Sequence, residues 1–233
     1  MKREVITRLQ ELRTEKRALA LVTRLVDGQQ TLVSEHEVEG ELGLKEDTLS
    51  IIRQRIVEDL SGVIPEGDAE LFVRVYNPPL RLILVGAVHV SQVLIPIAAL
   101  LGFDVSVIDP RTAFASDARF PTVTMLTDWP DQAMRALQPD HRTAVVTLTH
   151  DPKLDDPALR EVLLSDAFYI GSLGSRKTHA SRLERLRAEG VDEKALARIH
   201  APVGIHLGGR RPAEIALAIM AEIIQTLRLS GPS

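Results

Sequence analysis

The chain has 233 residues, 45% hydrophobic and 26% charged, so it can bury one substantial core and a smaller second one and is neither disordered nor fibrous. A formal net charge of −4 at pH 7 gives no electrostatic ground for nucleic acid as a main partner, and the lack of cysteine excludes disulfides, thiolate metal ligands and cysteine nucleophiles. Residues 1–20 are charged throughout without the apolar core of a signal peptide, and no apolar run is long enough to span a membrane, which points to a soluble cytoplasmic protein.

Val5, Ile6, Leu9 and Leu12 recur at helical spacing among charged residues and predict an amphipathic helix over 2–17. Residues 18–26 and 31–33 flank Asp27-Gly28 and read as a hairpin, because Asp-Gly readily takes the positive φ of such turns. A second amphipathic helix over 46–60 and the alternating strand ELFVRVY at 70–76 complete a small α+β domain, placed at 1–79 because Asn77-Pro78-Pro79 cannot continue a strand. From residue 80 onward, strands alternate with helices. Strands fall at 80–86, 103–109, 122–125, 143–149 and 168–173, and helices at about 90–102, 131–137, 157–164, 175–188, 193–199 and 212–227. That alternation predicts an α/β domain over 80–233, a doubly wound, mostly parallel Rossmann-like sheet whose ligands lie beyond the carboxyl ends of its strands.

Four segments carry the chemistry. After the first strand, Gly86 and the small Ser91 match a dinucleotide fingerprint, while Val88 occupies the position where a glycine would admit a pyrophosphate. Asp109 ends the next strand where a ribose-binding carboxylate normally sits, with Arg111 just beyond. His89, in the first helical turn, is equally a ligand contact and a solvated side chain. His150 and Asp151 follow the fourth strand and read as ligand contacts, as a general acid–base pair, or as a helix cap.

Gly171-Ser172-Leu173-Gly174-Ser175-Arg176-Lys177-Thr178 is the strongest anion signal, since it places Gly174, Ser175, Arg176 and Lys177 at a helix N-terminus. Arg176 replaces the glycine of a true P-loop, so nucleoside triphosphate hydrolysis is not expected. Arg182, Arg185 and Arg187 read as exposed helix charge. Gly208 and Gly209 in the loop 202–211 imply unusual backbone angles or close approach of a ligand, and Glu214 reads as a cap. No residue set supplies a convincing nucleophile and base, so neither catalytic nor metal-ligating residues are assigned.

LILVGAVHVSQVLIPIAALLGFDVSVIDPR, ARFP at 118–121, LTHD at 148–151, YIGSLGSRKTHASRLERL and IHAPVGIHLGGRRPAEIALAIMAEI together resemble the xanthine dehydrogenase accessory (XdhC/CoxI) family. The resemblance covers essentially all of 80–226. It implies a non-catalytic chaperone that binds the molybdenum cofactor in its molybdopterin form, protects it during sulfuration by a cysteine desulfurase, and delivers it to a xanthine dehydrogenase-type molybdenum enzyme. The resemblance allows a homodimer. Under it, the cofactor contacts are Gly86, Val88, His89, Ser91, Asp109, Arg111, His150, Asp151, Gly171, Gly174, Ser175, Arg176, Lys177, Gly208 and Gly209. Two departures stand out: Val88 replaces the second glycine of the family's Gly-Ala-Gly-His, and residues 1–79 hold no counterpart of the Gly-Gly-Cys motif of longer members. The competing readings are an NAD(P)-dependent oxidoreductase built on Gly86 and Asp109, and an adaptor that uses the Rossmann unit as scaffold.

Overall fold

The computed structural model describes residues 3–111, 120 and 123–229, which form two compact units, Met1–Pro78 and Pro79–Ser233. Of the ARFP segment only Phe120 is described, and it is buried; Ala118, Arg119 and Pro121, like Thr122 at the start of the expected third strand, lie outside the described residues.

The first unit runs α1 (Arg3–Thr14), β1 (Leu19–Arg24), β2 (Gln30–Ser34), β3 (Val38–Gly40), α2 (Glu46–Val57), β4 (Gly62–Glu66) and β5 (Ala69–Tyr76). Its five strands form an antiparallel sheet in the order β3-β2-β1-β5-β4. The unbroken apolar run in β1 follows from coverage of both faces. Ala20 and Val22 pack with Leu49, Ile52 and Ile56 of α2, whereas Leu19 and Leu21 pack with Leu9 and Leu12 of α1. The edge strands β3 and β4 go beyond the sequence expectation: β3 has three residues, and β4 carries Pro65, which an edge strand tolerates.

The second unit runs β6 (Leu80–Val85), α3 (His89–Leu100), β7 (Phe103–Ile108), β8 (Thr124–Leu126), α4 (Pro130–Leu137), β9 (Thr143–Thr147), α5 (Pro152–Leu163), β10 (Tyr169–Ser172), α6 (Arg176–Ala188), α7 (Glu193–Leu196), β11 (Ile199–His200) and α8 (Pro212–Leu229). All six strands are parallel, in the order β11-β10-β9-β6-β7-β8. This is the doubly wound Rossmann-like sheet anticipated from the alternation. The chain builds outward from β6 through β7 and β8, then restarts at β9 on the other side of β6, so the topological switch point lies between β6 and β9.

β6 is buried on both faces. Leu82 and Leu84 pack with Leu94 and Ala98 of α3 and Ile219 and Ile223 of α8, and Ile83 and Val85 pack with Met134 of α4 and Leu159 and Val162 of α5. Where α5 begins differs from expectation. The sequence suggests Pro157 as its first residue, but Pro152 takes that place, with Asp151 capping it by accepting the Lys153 amide at 3.0 Å.

Candidate functional site

At the end of β6 the chain turns through Gly86, whose φ of +116° is open to glycine and rare for other residues, and a Cβ there would come within 2.8 Å of Thr149 Cγ2. The Gly86 amide donates to Ile108 O at 2.8 Å, and the Ser91 hydroxyl donates to Gly86 O at 2.6 Å. Ala87 N donates to Asp109 Oδ2 at 2.8 Å. Asp109 is fully buried and also accepts from the Arg111 amide at 3.0 Å and from Arg111 Nε and Nη2 at 2.9 and 2.7 Å. Burial alone would raise its pKa, but the bonds from Arg111 and Ala87 hold it below the usual carboxylate range.

Asp109 is therefore a clamp between β7 and the first turn. The sequence reads it as a hydroxyl-binding carboxylate; in this structure Arg111, two residues on, bonds to both of its oxygens. Ser91 likewise serves the turn itself. Val88 is half-buried and packs on the core between α3 and α8, and His89 is exposed. NAD(P) in its usual pose would find neither a free carboxylate at Asp109 nor a glycine at Val88.

Across the switch point, Thr149 Oγ1 donates to Asp155 Oδ1 at 2.7 Å and accepts the Asp151 amide at 3.0 Å. Asp151 is the α5 cap, the third of the roles read for it, and no hydrogen bond joins it to His150 among the described residues. His150 is exposed and holds φ of +62°. Sequence reasoning missed a buried charge cluster beneath it: Asp155, Asp156 and Arg182 are 1%, 5% and 2% exposed. Burial pushes the Asp155 carboxyl up, against the opposing pull of Thr149 and Arg182. Arg185 pairs with Asp156, Nε to Oδ2 at 2.5 Å and Nη2 to Oδ1 at 3.1 Å. Only Arg187 is the exposed helix charge expected, paired with Glu193.

Gly171 lies inside β10, where a Cβ would meet Val203 Cγ2 at 2.5 Å and Tyr169 Cε1 at 2.8 Å, so packing within the sheet requires glycine there. Gly174 has φ of +146°, and Ser175 caps α6 by accepting the Thr178 amide at 3.1 Å. Arg176 and Lys177 stand exposed in the first turn of α6 and face different spaces. Arg176 lines a cavity of about 440 Å³ with Pro202, Ile205, His206, Gly208, Gly209 and Arg210. Lys177 lines one of about 250 Å³ with His150, Pro152, Ser181, Arg182 and Arg185.

The wall of the larger cavity is held by two carboxylates. Glu222 Oε2 accepts from Tyr169 Oη at 2.5 Å and from the Gly204 amide at 2.6 Å, and Glu222 Oε1 lies 3.3 Å from His200 Nδ1. Glu214 Oε2 accepts the Arg210 and Arg211 amides at 2.8 and 2.9 Å, the capping role read for it, and a Cβ on Gly209 would strike its side chain at 2.5 Å. The fold thus brings Arg176, Gly208 and Gly209 to one cavity and His150 and Lys177 to the other. Gly86, Ser91 and Asp109 line neither. Among the described residues no group of three or more His, Asp or Glu side chains could hold a metal ion, and no helix is long and apolar enough to cross a membrane.

Residues 82–223 match the model of the XdhC Rossmann domain. Over 176 residues the chain is 34% identical to a probable xanthine dehydrogenase subunit of Bacillus subtilis (strain 168), covering 74% of this chain and 51% of that protein. It is 31% identical over 148 residues to the molybdenum cofactor insertion chaperone PaoD of Escherichia coli (strain K12), covering 64% of this chain and 40% of the relative. A third relative, the uncharacterized protein YqeB of the same Escherichia coli strain, is 36% identical over 163 residues, 68% of this chain and 29% of that one. The chain thus spans at most about half the length of these relatives, 51% in the fullest case. A crystal structure of a xanthine dehydrogenase from Bacillus halodurans shares the fold with a TM-score of 0.75 at 24% identity, over 97% of this chain and 67% of that one.

Proposed function

The chain belongs to the XdhC Rossmann domain family, and on that premise we propose that it is a chaperone that holds the molybdenum cofactor in its molybdopterin form and passes it to a xanthine dehydrogenase-type enzyme in the cytoplasm. The observation that carries the reading is the pair of cavities flanking the first turn of α6, one lined by Arg176 and the other by Lys177. A pterin cofactor is an extended molecule with a phosphate at one end and a metal-bearing dithiolene, so it needs a broad wall, a cationic seat and no metal ligand from the protein. The wall at 202–210, with Arg176, Gly208 and Gly209, would receive the ring system, and Lys177 and His150 would face the phosphate.

With no cysteine, the chain carries no persulfide of its own. In this reading sulfuration is performed by a partner cysteine desulfurase, and the chain's part is to shelter the bound cofactor from water and oxidant until transfer. The reading is tested by incubating the full chain anaerobically with molybdenum cofactor, isolating it, and measuring the pterin released on denaturation. Retained pterin, reduced about tenfold or more in affinity by Arg176→Ala or Lys177→Ala, is the expected result. A chain that leaves isolation free of pterin overturns it.

A further inference from the structure

The cleft between α5 and α6 holds a buried guanidinium that the fold does not fully use. We propose that this cleft is an oxyanion-binding site, taking inorganic phosphate or the phosphate of a monoester, with Arg182 as its floor. It rests on the chaperone reading only for the identity of the natural ligand.

Arg182 is 2% exposed, and among the described residues its one hydrogen bond runs from Nη2 to Leu173 O at 3.1 Å. Nε and Nη1 are buried without a hydrogen-bond partner among those residues. The nearby carboxylates do not supply one. Asp155 Oδ2 stands 3.6 Å from Nη2 and Asp156 Oδ1 stands 4.0 Å from Nε, while Asp156 is already engaged by Arg185 and Asp155 Oδ1 by Thr149. Unmade bonds on a buried cation are costly, and an anion entering the cleft is the group that would make them. Burial lowers the Arg182 pKa, against the opposing pull of Asp155 and Asp156.

The rest of the cleft fits the same guest. Its volume is about 250 Å³, and among the described residues no carboxylate lines it. Lys177 contributes a second cation that has no ion pair among the described residues, and the Ser181 and Thr178 hydroxyls stand beside it. Pro152 opens the 12-residue α5, and Lys177 and Thr178 lie in the first turn of the 13-residue α6, so the positive ends of two helix dipoles meet here. A planar guanidinium, an ammonium and the Ser181 hydroxyl suit a tetrahedral oxyanion. The Thr178 amide is already spent on Ser175 at 3.1 Å, and the Thr178 hydroxyl lies 2.9 Å from Ser175 Oγ, so the site is made by the side chains of Arg182, Lys177 and Ser181 more than by a backbone nest.

The test is calorimetric titration of the full chain with inorganic phosphate and, separately, phenyl phosphate. Saturable binding below about 10 mM is expected. Lys177→Ala should weaken it about tenfold or more, and so should Ser181→Glu, which places a carboxylate in the cleft from an exposed position and does not depend on Arg182 surviving mutation. Arg187→Ala, which removes the same charge from α6 outside the cleft, should leave affinity within about twofold, because screening limits its reach. Competition between the two probes assigns the phosphate end of a larger ligand, and binding of inorganic phosphate alone assigns the free anion; both support the site. No saturable binding, a Ser181→Glu variant that binds like the parent, or an Arg187→Ala loss equal to that of Lys177→Ala overturns it. Phosphate binding without pterin retention supports the site and overturns the chaperone reading. Pterin retention without phosphate binding does the reverse.

Discussion

Replacing Asp109 by asparagine removes the charge from a carboxylate that is fully buried and accepts from the Ala87 amide, the Arg111 amide, Arg111 Nε and Arg111 Nη2. Hydrogen bonds to charged groups contribute about 1.5–3 kcal/mol each. The Arg111 side chain is 36% exposed, so solvent recovers part of its loss, and asparagine keeps one acceptor oxygen. The expected net cost is about 2–4 kcal/mol, a large part of the roughly 5–15 kcal/mol that stabilises a domain. Trp129, the chain's one tryptophan, lies in the Rossmann unit and reports its unfolding in urea, where the midpoint should fall with an unchanged slope. The sign with pH follows from the depressed Asp109 pKa. Between that value and the ordinary one the unfolded chain binds more protons, so the stabilisation is complete above the ordinary value and is lost as pH falls below about 4. The gap between parent and Asp109→Asn should therefore shrink in acid. An unshifted midpoint at neutral pH, or a gap that widens in acid, refutes the clamp.

Gly204→Ala should cost about 2 kcal/mol or more in the same unfolding assay, since its φ is +93° and a Cβ would meet Ala218 C and Ile219 N of α8 at 2.9 Å. Gly208→Ala, at φ of +78° with nothing within 4 Å, should cost only the backbone strain of about 1–2 kcal/mol. Burial and then Glu222 raise the Tyr169 pKa, so the folded chain keeps a proton that the unfolded chain loses above about pH 10, and stability should decline as pH rises past that point. Tyrosinate absorbance, compared between the parent and Tyr169→Phe, should show Tyr169 ionising only with unfolding. Glu222→Gln should cost about 2 kcal/mol by weakening the bonds from Tyr169 and Gly204, read as a lower urea midpoint.

The central strands were legible: β6 and β9 are covered on both faces and read as short apolar runs between turn residues, and β7 alternates, with exposed Asp104 and half-buried Ser106 between Phe103, Val105 and Val107. β11 was not, because Ile199–His200 is two residues long and is defined by pairing with β10, which local sequence does not encode. Arg182 is disguised by composition: α6 is dense with arginine, and nothing in the residue type separates 182 from 185 and 187. Its spacing held the signal, since Arg182 lies four residues before the fully buried Leu186 and so shares its helix face. Glu222 carries the same mark, four residues after the buried Ala218 on α8. Asp109 is a different case. Its place at the end of β7 is shared with ribose-binding carboxylates, and only three-dimensional contact shows that Arg111 turns back upon it.

That contact bears on where an anion can sit. A phosphate needs cations or free amides, and from Gly86 to Leu101 the sequence supplies no lysine or arginine, with His89 as its one ionisable group. The Ala87 amide, the donor best placed by the first turn, goes to Asp109. Beyond β9 and β10 the opposite holds: Lys177, Arg182 and Arg185 converge on one cleft that no carboxylate lines among the described residues. The first turn of this Rossmann sheet has been closed by an internal salt bridge, and the cationic groups have gathered two and more strands away. Val88 is consistent with that division, because it stands where a glycine would admit a pyrophosphate, and a half-buried valine there adds apolar contact to the core that includes α3 and α8.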